Sequence, residues 1–311
     1  MGRIFVTGGT GFIGMHVVKR LISEGNTVRV MARSLQSGRA ASRAGAEAVK
    51  GDLFDRACLE RGMAGCTGIV HAAGIRSASS ARAIFAVNVQ GTQNVIDAAR
   101  AAGVRRLVHI SSDAVVLTGR PFDGADETLP LQIGSRLPYV ATKARAEKLI
   151  MDAARPELET VSLRPKMVWN HAGDGGVAAM LKAGHMDGSF RWTGDGHHIT
   201  DVTHVDNVAQ AVCLALNSRV SRRAFFITDG QAVDFRDFFS RILSRSGVIP
   251  SQQTQSLGKA RLAAMWGDLR HKAHMPASTD SFLFWVSHLN LTFTVERARR
   301  ELGYVPVLYD I

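Results

Sequence analysis

Near its start the chain reads Ile4-Phe5-Val6-Thr7-Gly8-Gly9-Thr10-Gly11-Phe12-Ile13-Gly14. A short apolar run passes directly into glycines spaced by three, and a helical pattern follows. Gly8 permits a tight turn, Gly11 lets a phosphate group approach the backbone, and Gly14 lets helix and strand pack closely. A strand, a glycine turn and a helix N-terminus in this order bind the pyrophosphate of a dinucleotide. The predicted contacts are Gly8, Thr10, Gly11, Phe12, Ile13 and Gly14.

The rest of the first half repeats this alternation of strand and helix. The predicted strands are near-continuously apolar, as a sheet covered on both faces requires. They are Arg3–Thr7, Thr27–Ala32, Ala46–Lys50, Gly68–His71, Arg106–Ser111 and Thr160–Leu163. The predicted helices include Phe12–Ser23, Ala83–Ala102 and Tyr139–Ala154. Because such alternation forms parallel βαβ units, the sequence predicts the α/β class with a doubly wound parallel sheet of the Rossmann type.

The end of the second predicted strand, Val30-Met31-Ala32-Arg33-Ser34, indicates which dinucleotide binds. A site specific for NAD has an aspartate or glutamate about 20 residues after the glycines, where it binds the ribose hydroxyls. Here no carboxylate is present. Arg33 instead offers a guanidinium that can bind a 2′-phosphate, and Ser34 offers a hydroxyl. The sequence therefore predicts NADP(H) as the preferred cofactor, with NAD(H) as the alternative.

Two residues after the third predicted strand are placed for the adenine ring. Asp52 can accept a hydrogen bond from the adenine amino group, and Leu53 can pack against the face of the ring. For Asp52 an ordinary turn is the alternative, because aspartate also bonds to its own backbone in turns. We predict that both residues contact the cofactor.

A tyrosine and a lysine open the third predicted helix, which begins Tyr139-Val140-Ala141-Thr142-Lys143. The i, i+4 spacing places the phenol and the ammonium on one face of the helix. A free tyrosine has a pKa of about 10, and a neighbouring ammonium is expected to lower it toward the working range. Tyr139 is predicted to exchange a proton with a substrate oxygen, while Lys143 also holds the nicotinamide ribose. Ser112, after the fifth strand, is predicted to bind that oxygen, with Ser111 as the alternative.

Further segments resemble, in the right order, the extended short-chain dehydrogenase/reductase superfamily, also called the NAD-dependent epimerase/dehydratase superfamily. They are His71-Ala72-Ala73-Gly74, Asn88-Val89-Gln90-Gly91-Thr92, Ser111-Ser112, Tyr139 to Lys143 with Ala146-Glu147, and Leu163-Arg164-Pro165. In the second half Thr203-His204-Val205-Asp206-Asn207 and Phe226-Ile227-Thr228-Asp229-Gly230 are similar to its 3β-hydroxysteroid dehydrogenase-like branch. The resemblance implies that Ser112, Tyr139 and Lys143 are a catalytic triad. It also implies a nicotinamide pocket lined by Ala72, Ala73, Pro165, Lys166, Met167 and Val168.

The second half is less regular than the first. Its predicted elements are a helix from His204 to Leu216, a strand over Ala224–Thr228, a helix over Phe235–Ser246 and an amphipathic end at Val295–Leu302. We predict an NADP(H)-binding Rossmann domain over residues 1–165, which carries the catalytic triad, and a smaller C-terminal α/β substrate-binding lobe over 166–311. Residues at about 200–228 are expected to return to the Rossmann domain. By resemblance, helices Ala83–Ala102 and Tyr139–Ala154 are expected to form a homodimer interface.

The composition limits the kinds of partner. The chain has 38 Lys and Arg against 27 Asp and Glu, a net charge of +11, which favours phosphorylated or carboxylate ligands. The basic residues are dispersed without interleaved aromatic residues, so nucleic acid is not expected. Isolated cysteines predict a cytoplasmic location, and no apolar run is long enough to span a membrane. His197-His198 has no companions at metal spacing, so no metal is predicted.

These features together predict an enzyme. They favour an NADP(H)-dependent ketoreductase or alcohol dehydrogenase, which interconverts a ketone and a secondary alcohol on a bulky apolar small molecule of the steroid-like, aryl or β-keto type. Arg33 looks like the reductive members of the superfamily, including dihydroflavonol reductases and 2-alkyl-3-oxoalkanoate reductases. Residues expected to border the substrate, or else to pack in the core, are Val115, Val116, Trp169, His171 and Trp192.

Three other functions share the predicted fold. A dehydratase of this superfamily needs an Asp-Glu pair after Ser112, and the sequence has Asp113-Ala114 instead. A sugar-nucleotide epimerase retains NAD, which Arg33 argues against. A non-catalytic protein that senses NADP(H) is the remaining alternative, and the complete set of Ser112, Tyr139 and Lys143 argues against it.

Overall fold

The computed structural model describes residues 2–76, 80–272 and 280–309. The strands are β1 (Arg3–Thr7), β2 (Thr27–Ala32), β3 (Glu47–Lys50), β4 (Gly68–His71), β5 (Arg106–Ile110), β6 (Phe122–Ala125), β7 (Glu159–Pro165), β8 (Val168–Trp169), β9 (Trp192–Thr193), β10 (Ile199–Thr200), β11 (Thr203–His204), β12 (Arg223–Ile227), β13 (Val233–Asp234), β14 (Thr254–Gln255) and β15 (Leu291–Phe293). The helices are α1 (Phe12–Ser23), α2 (Leu35–Arg43), α3 (Arg56–Met63), α4 (Ala81–Phe85), α5 (Gly91–Ala101), α6 (Pro138–Asp152), α7 (Gly176–Met186), α8 (Val205–Asn217), α9 (Phe235–Arg245), α10 (Leu257–Lys272), α11 (Ser281–Val286) and α12 (Glu296–Leu302).

A parallel sheet forms the centre of the molecule. Within the described residues it has seven strands in the order β12-β7-β5-β4-β1-β2-β3, and neighbouring strands are parallel throughout. From β1 the chain builds β2 and β3 on one side and β4, β5 and β7 on the other. This reversal opens a crevice at the carboxyl ends of β1 and β4, where such sheets bind ligands. The predicted α/β class with a Rossmann-type sheet is confirmed.

Both faces of the sheet are covered, because side chains of successive strand residues point to opposite faces. On one face Ile4 and Val6 pack with the apolar residues of α1 and α8. On the other face Phe5 packs with α3, α5 and α6. This double burial explains why the strands read as continuous apolar runs.

The helix predicted over Ala83–Ala102 is wrong as a single element. A π-helical turn over Ala86–Gln90 separates α4 from α5. In this turn the buried Asn88 amide bonds to both backbone groups of Ile75, accepting from its N–H at 2.8 Å and donating to its carbonyl at 2.9 Å. Asn88 also donates to Thr142 Oγ1 at 3.1 Å. The interruption therefore ties the segment after β4 to the helix that carries Tyr139.

The smaller lobe contains a second sheet. Its strand order is β13-β10-β15-β6 in the described residues, so β6, at residues 122–125, belongs to it although the sequence analysis assigned these residues to the Rossmann domain. β15 and β6 pair across a long sequence separation, which local patterns do not reveal. Conversely, two elements from the second half of the chain belong with the large sheet. Helix α8 packs on α1, and β12 pairs with β7. The limits of the two units stay a prediction.

No helix in the described parts of the chain is both long and apolar enough to cross a bilayer. The apolar segment Phe282–Val286 forms most of the short helix α11. Only Val286 of this segment is buried, and Phe282 and Leu283 line a cavity between the lobes. The segment thus forms part of a cavity wall.

Candidate active site

The turn after β1 forms a cradle at the carboxyl edge of the sheet. Gly8 has a φ of 70°, and a Cβ there would lie 2.6 Å from the backbone nitrogen of Ala73. A Cβ on Gly14 would overlap the carbonyl oxygen of Gly8. Helix α1 begins after Gly11, and no side chain caps its N–H groups. Free N–H groups and a positive helix end fit the pyrophosphate of a dinucleotide.

A cavity of about 470 Å³ extends from this cradle to the smaller lobe. It brings together most of the site residues predicted from the sequence. Those lining it are Gly8, Gly11, Phe12, Ile13, Gly14, Ala72, Ser112, Tyr139, Lys143, Pro165 and Val168. Thr10, Arg33, Ser34, Asp52, Leu53 and Ala73 lie outside it. Ser111 also lines the cavity, and its buried Oγ has no hydrogen-bond partner among the described residues. An orphaned hydroxyl beside the cradle fits a site that a polar ligand completes.

Tyr139 lies at the base of the cavity, where Phe282 packs against its ring edge to face at 5.2 Å. Burial raises the pKa of Tyr139, and the Asp113 carboxylate raises it further. The nearby Ser112 hydroxyl and the charge of Arg76 oppose this rise in pKa. The lowered phenol pKa predicted from Lys143 is therefore not found, because desolvation of the phenolate dominates.

Ser112 belongs to a buried polar group that the sequence analysis missed. Its hydroxyl donates to Asp113 Oδ1 at 3.1 Å, and the other carboxylate oxygen accepts from Lys166 Nζ at 3.1 Å. Lys166 is fully buried and lies over the Phe293 ring, 5.8 Å from its centroid. The pair holds Ser112 beside Tyr139. In the sequence, only the position of Asp113 directly after Ser112 could have indicated this polar group, because Lys166 is distant in sequence from both residues.

Lys143 lies behind Tyr139 and donates to the carbonyl of Ile110 at 2.8 Å. Its Nζ is also 3.4 Å from His109 Nε2. A lysine ammonium can only donate, so Nε2 accepts and the His109 proton is on Nδ1. Nδ1 then donates to Ser162 Oγ at 3.0 Å. Burial and the Lys143 charge hold the pKa of His109 well below its usual value, so the ring is neutral.

The same chain of hydrogen bonds continues to a buried carboxylate. Ser162 donates to Glu147 Oε2 at 3.3 Å, and Arg164 Nε donates to Glu147 Oε1 at 3.0 Å. Burial lowers the pKa of Lys143 to about 8, while the negative charge of Glu147 works in the opposite direction. Every member of the chain is removed from water, so a charge at one end acts on the other with little screening.

The pKa of Lys143 predicts an alkaline limit on cofactor use. Below about pH 8 the ammonium is charged and can donate to the nicotinamide ribose, whereas above it the neutral amine loses this role. We expect kcat/KM for the reduced cofactor to fall about tenfold per unit well above that pH. Initial rates at saturating ketone between about pH 7 and pH 9.5 measure the profile. A kcat/KM that stays constant over this pH range would contradict the prediction. The variant Lys143→Arg stays charged, so its kcat/KM should not show the alkaline decrease.

The far end of the predicted cofactor site is a separate hollow next to β2 and β3. Ser34 lines it and caps α2, its Oγ accepting from Ser37 N at 3.2 Å. Arg39 and Lys50 also line it, and the sequence analysis missed both. Arg33 is exposed beside this hollow. Cations around a helix N-terminus form an anion site.

Asp52 has a structural role in the turn after β3. Its Oδ1 accepts from Phe54 N at 2.7 Å and from Asp55 N at 3.1 Å. Leu53 is buried, and its side chain packs against Gly91 at the start of α5. The turn alternative for Asp52 is thus present in the structure, and the adenine contacts of Asp52 and Leu53 stay predictions.

The residues expected to border the substrate do not line the cavity. Val115 and Val116 are core residues, and His171 is exposed. The indole N–H of Trp169 donates to Asp229 at 2.8 Å, and that of Trp192 to the Ser251 carbonyl at 2.7 Å. The apolar wall instead consists of Ile75, Met167, Val177, Met180, Phe282, Leu283 and Val286, with Arg76 as a cation.

One group of side chains in the described residues has ligand atoms close enough to hold a metal. It comprises His197, Asp234 and Asp237 at the start of α9. His197 Nδ1 is 3.1 Å from Asp234 Oδ1, and Asp234 caps the helix through Asp237 N. The helix cap and the His197–Asp234 contact account for the group without a metal, and the absence of a metal stays a prediction.

Comparison with known proteins points to one family. The sequence matches the profile of the 3-beta hydroxysteroid dehydrogenase/isomerase family over residues 5–258. It is 36% identical over 306 residues to the 4-hydroxy-2-methyl-3-oxo-4-farnesyl-3,4-dihydroquinoline-1-oxide ketoreductase of Stigmatella aurantiaca, covering 97% of this chain and 91% of that protein. It is 32% identical over 318 residues to the 2-alkyl-3-oxoalkanoate reductase of Stenotrophomonas maltophilia strain K279a, covering 98% and 94%.

The fold also matches solved enzymes. The dTDP-glucose 4,6-dehydratase of Streptomyces venezuelae, solved with NAD bound, superposes with a TM-score of 0.75 at 25% identity. The match covers 99% of this chain and 92% of that chain. These two relatives are thus named for reductions, and the solved neighbour holds a nicotinamide dinucleotide.

Proposed function

Because this chain belongs to the 3-beta hydroxysteroid dehydrogenase/isomerase family, we propose that it is an NADP(H)-dependent ketoreductase acting on a bulky apolar ketone. The resemblance seen in the sequence is confirmed, and the chain is an NAD(P)-dependent oxidoreductase acting on CH–OH groups. One observation carries the proposal: the hydroxyl-bearing residues Tyr139 and Ser112 line the same cavity as a set of large apolar side chains.

Tyr139, Ser112 and the Asp113–Lys166 pair have separate roles in the proposed reaction. When bound, NADP(H) supplies the hydride that the carbonyl carbon takes up. Tyr139 donates its phenolic proton to the carbonyl oxygen, so a secondary alcohol and a phenolate result, and the phenol later regains a proton from solvent. The neighbouring Ser112 hydroxyl lowers the pKa of Tyr139, and it stabilises that phenolate once its proton turns from Asp113 to the phenolate oxygen. The Asp113–Lys166 pair fixes Ser112 for this task.

The substrate class follows from the cavity wall and the relatives. Phe282, Leu283 and Met180 contribute apolar surface to the cavity that the two hydroxyl-bearing residues line, whereas a nucleotide sugar requires many polar contacts. The relatives in Stigmatella and Stenotrophomonas are named for ketones that carry a farnesyl or an alkyl group. We propose a ketone next to a large apolar group. Loss of NADPH absorbance with a panel of aryl, steroidal and β-keto compounds tests this, and NADPH binding without turnover of any ketone would favour a sensing protein.

The preference for NADP(H) predicts a clear result for Arg33. Arg33→Ala should lower kcat/KM for NADPH about 10- to 100-fold, because a hydrogen bond to a charged group contributes about 1.5–3 kcal/mol. The value for NADH should change by less than about threefold, since NADH has no 2′-phosphate. Initial rates with both cofactors measure the ratio.

Arg105→Ala is the matched control. Arg105 is exposed directly before β5, at the amino-terminal end of the parallel strands, whereas Arg33 follows the carboxyl end of β2. The proposed preference for NADP(H) would be wrong if the wild type preferred NADH, or if Arg33→Ala lowered kcat/KM equally for both cofactors. The homodimer and the cytoplasmic location stay predictions, and light scattering tests the first.

A further inference from the structure

Helix α10 has its large apolar side chains on the outside. Leu262, Met265, Trp266 and Leu269 have between 54% and 68% of their surface exposed. Over residues 257–270, whose burial the structure describes, the buried positions of α10 are the small residues Ala260, Ala264 and Gly267. A helix of a globular protein ordinarily buries its large apolar residues. This reversed arrangement indicates that the outer face of α10 meets something other than water.

The exposed residues form one continuous stripe. They occupy positions i, i+3, i+4 and i+7 from Leu262, and at about 100° per residue they fall on one side of the helix. The buried small residues fall on the opposite side. Single exposed apolar residues such as Ile249 are normal on a protein surface, whereas a contiguous patch marks a binding surface. We call Leu262, Met265, Trp266 and Leu269 the outer stripe.

Positive charges lie on both edges of the outer stripe. Lys259 and Arg261 are exposed and, by helical periodicity, fall on opposite sides of it. Asp268, whose carboxylate accepts from Ser281 N at 3.0 Å and from Ser281 Oγ at 2.5 Å, offsets only part of this charge, because the sequence of α10 also contains Arg270 and Lys272 and has no other acidic residue. The whole chain carries a charge of +11. A second copy would therefore bring like charges together, whereas an anionic surface would attract them.

We propose that α10 docks on an anionic membrane surface. Its outer stripe enters the boundary between headgroups and acyl chains, and Lys259 and Arg261 meet lipid phosphates. A helix that combines an apolar stripe containing tryptophan with flanking cations binds in this way without spanning the bilayer.

Helix α10 lies next to a helix that lines the substrate cavity. The small face of α10 packs toward α11, and Asp268 ties the two helices through Ser281. Phe282, Leu283 and Val286 of α11 line the cavity. An apolar ketone dissolved in lipid could thus reach the cavity beside the docked helix. This delivery rests on the proposed function, but membrane binding does not.

Vesicle binding tests the proposal directly. Full-length protein is mixed with vesicles of phosphatidylcholine alone or with phosphatidylglycerol at about 3:1, then floated on a gradient. We expect binding to the anionic vesicles that weakens in about 0.5 M NaCl. Leu262→Ser with Trp266→Ser should lower the partition coefficient about tenfold or more, because a buried apolar side chain contributes that much. Lys259→Glu with Arg261→Glu should lower it similarly.

Several controls separate the outcomes. Ile249→Ser removes an apolar residue that is 91% exposed but outside α10, and it should bind like the wild type. Brominated lipids should quench Trp266, the most exposed of the four tryptophans, since Trp169 and Trp192 are buried and Trp285 is only partly exposed. Tyr139→Phe should still bind vesicles, so a failed reaction and a failed docking are distinguishable. Absence of binding to anionic vesicles, or light scattering that shows the stripe variants dissociating a dimer, would overturn the proposal.

Discussion

Tyr139→Phe is expected to lower kcat for ketone reduction by about 10²- to 10⁴-fold, the usual contribution of a positioned proton donor. The substitution removes one oxygen atom and leaves the ring in its edge-to-face contact with Phe282. Helix α6 and the cavity should therefore keep their shape. NADPH consumption under single-turnover conditions measures the loss of the chemical step.

A matched substitution is available in Tyr309→Phe. Tyr309 stacks on His204 at 3.7 Å and does not line the cavity, so this variant should keep wild-type kcat. The Kd for NADPH, followed by fluorescence, should change less than about threefold in Tyr139→Phe, because the phenol acts on the substrate oxygen. Retention of more than a tenth of kcat by Tyr139→Phe would remove Tyr139 from the proton-donor role.

Local patterns predicted the parts of the site that are local in sequence. The glycine turn, α1 and the Tyr139–Lys143 spacing depend on neighbours within a few residues, and β1, β2, β4 and α1 have the predicted bounds. The position of Ser112 after β5 predicted that it lies at the carboxyl edge of the sheet, and the resemblance to the superfamily implied its place beside Tyr139. Apart from that resemblance, these inferences need only chain direction and periodicity.

The remaining parts depend on tertiary packing, which periodicity does not specify. Lys166 and Asp113 meet as a buried pair from separate elements, and Phe282 reaches the cavity from near the end of the chain. Trp169 is a core residue because Asp229 accepts its indole N–H. The pKa of Tyr139 depends on burial, so the nearby lysine alone predicted the wrong direction.

Glu147→Ala is expected to lower the free energy of unfolding by about 3–5 kcal/mol, because it leaves Arg164 buried without its counter-ion. Both side chains are buried, and Arg164 also lies over the Phe226 ring at 5.1 Å. Urea denaturation measures the loss. Glu60→Ala, which breaks the exposed pair with Arg56, should change it by less than about 1 kcal/mol. A loss of that small size in Glu147→Ala would contradict the prediction.

Two further variants test separate roles of Glu147. One tests whether the unpaired charge of Arg164 causes the loss of stability, and the other tests whether the charge of Glu147 affects the active site. Glu147→Met combined with Arg164→Met should recover part of the loss, because no unpaired charge remains. Glu147→Gln keeps the shape but removes the negative charge that raises the pKa of Lys143. With that charge gone, the pKa of Lys143 falls further below about 8, and the alkaline limb of kcat/KM moves to lower pH. An unchanged limb would mean that the chain through His109 and Ser162 does not transmit the charge of Glu147 to the active site.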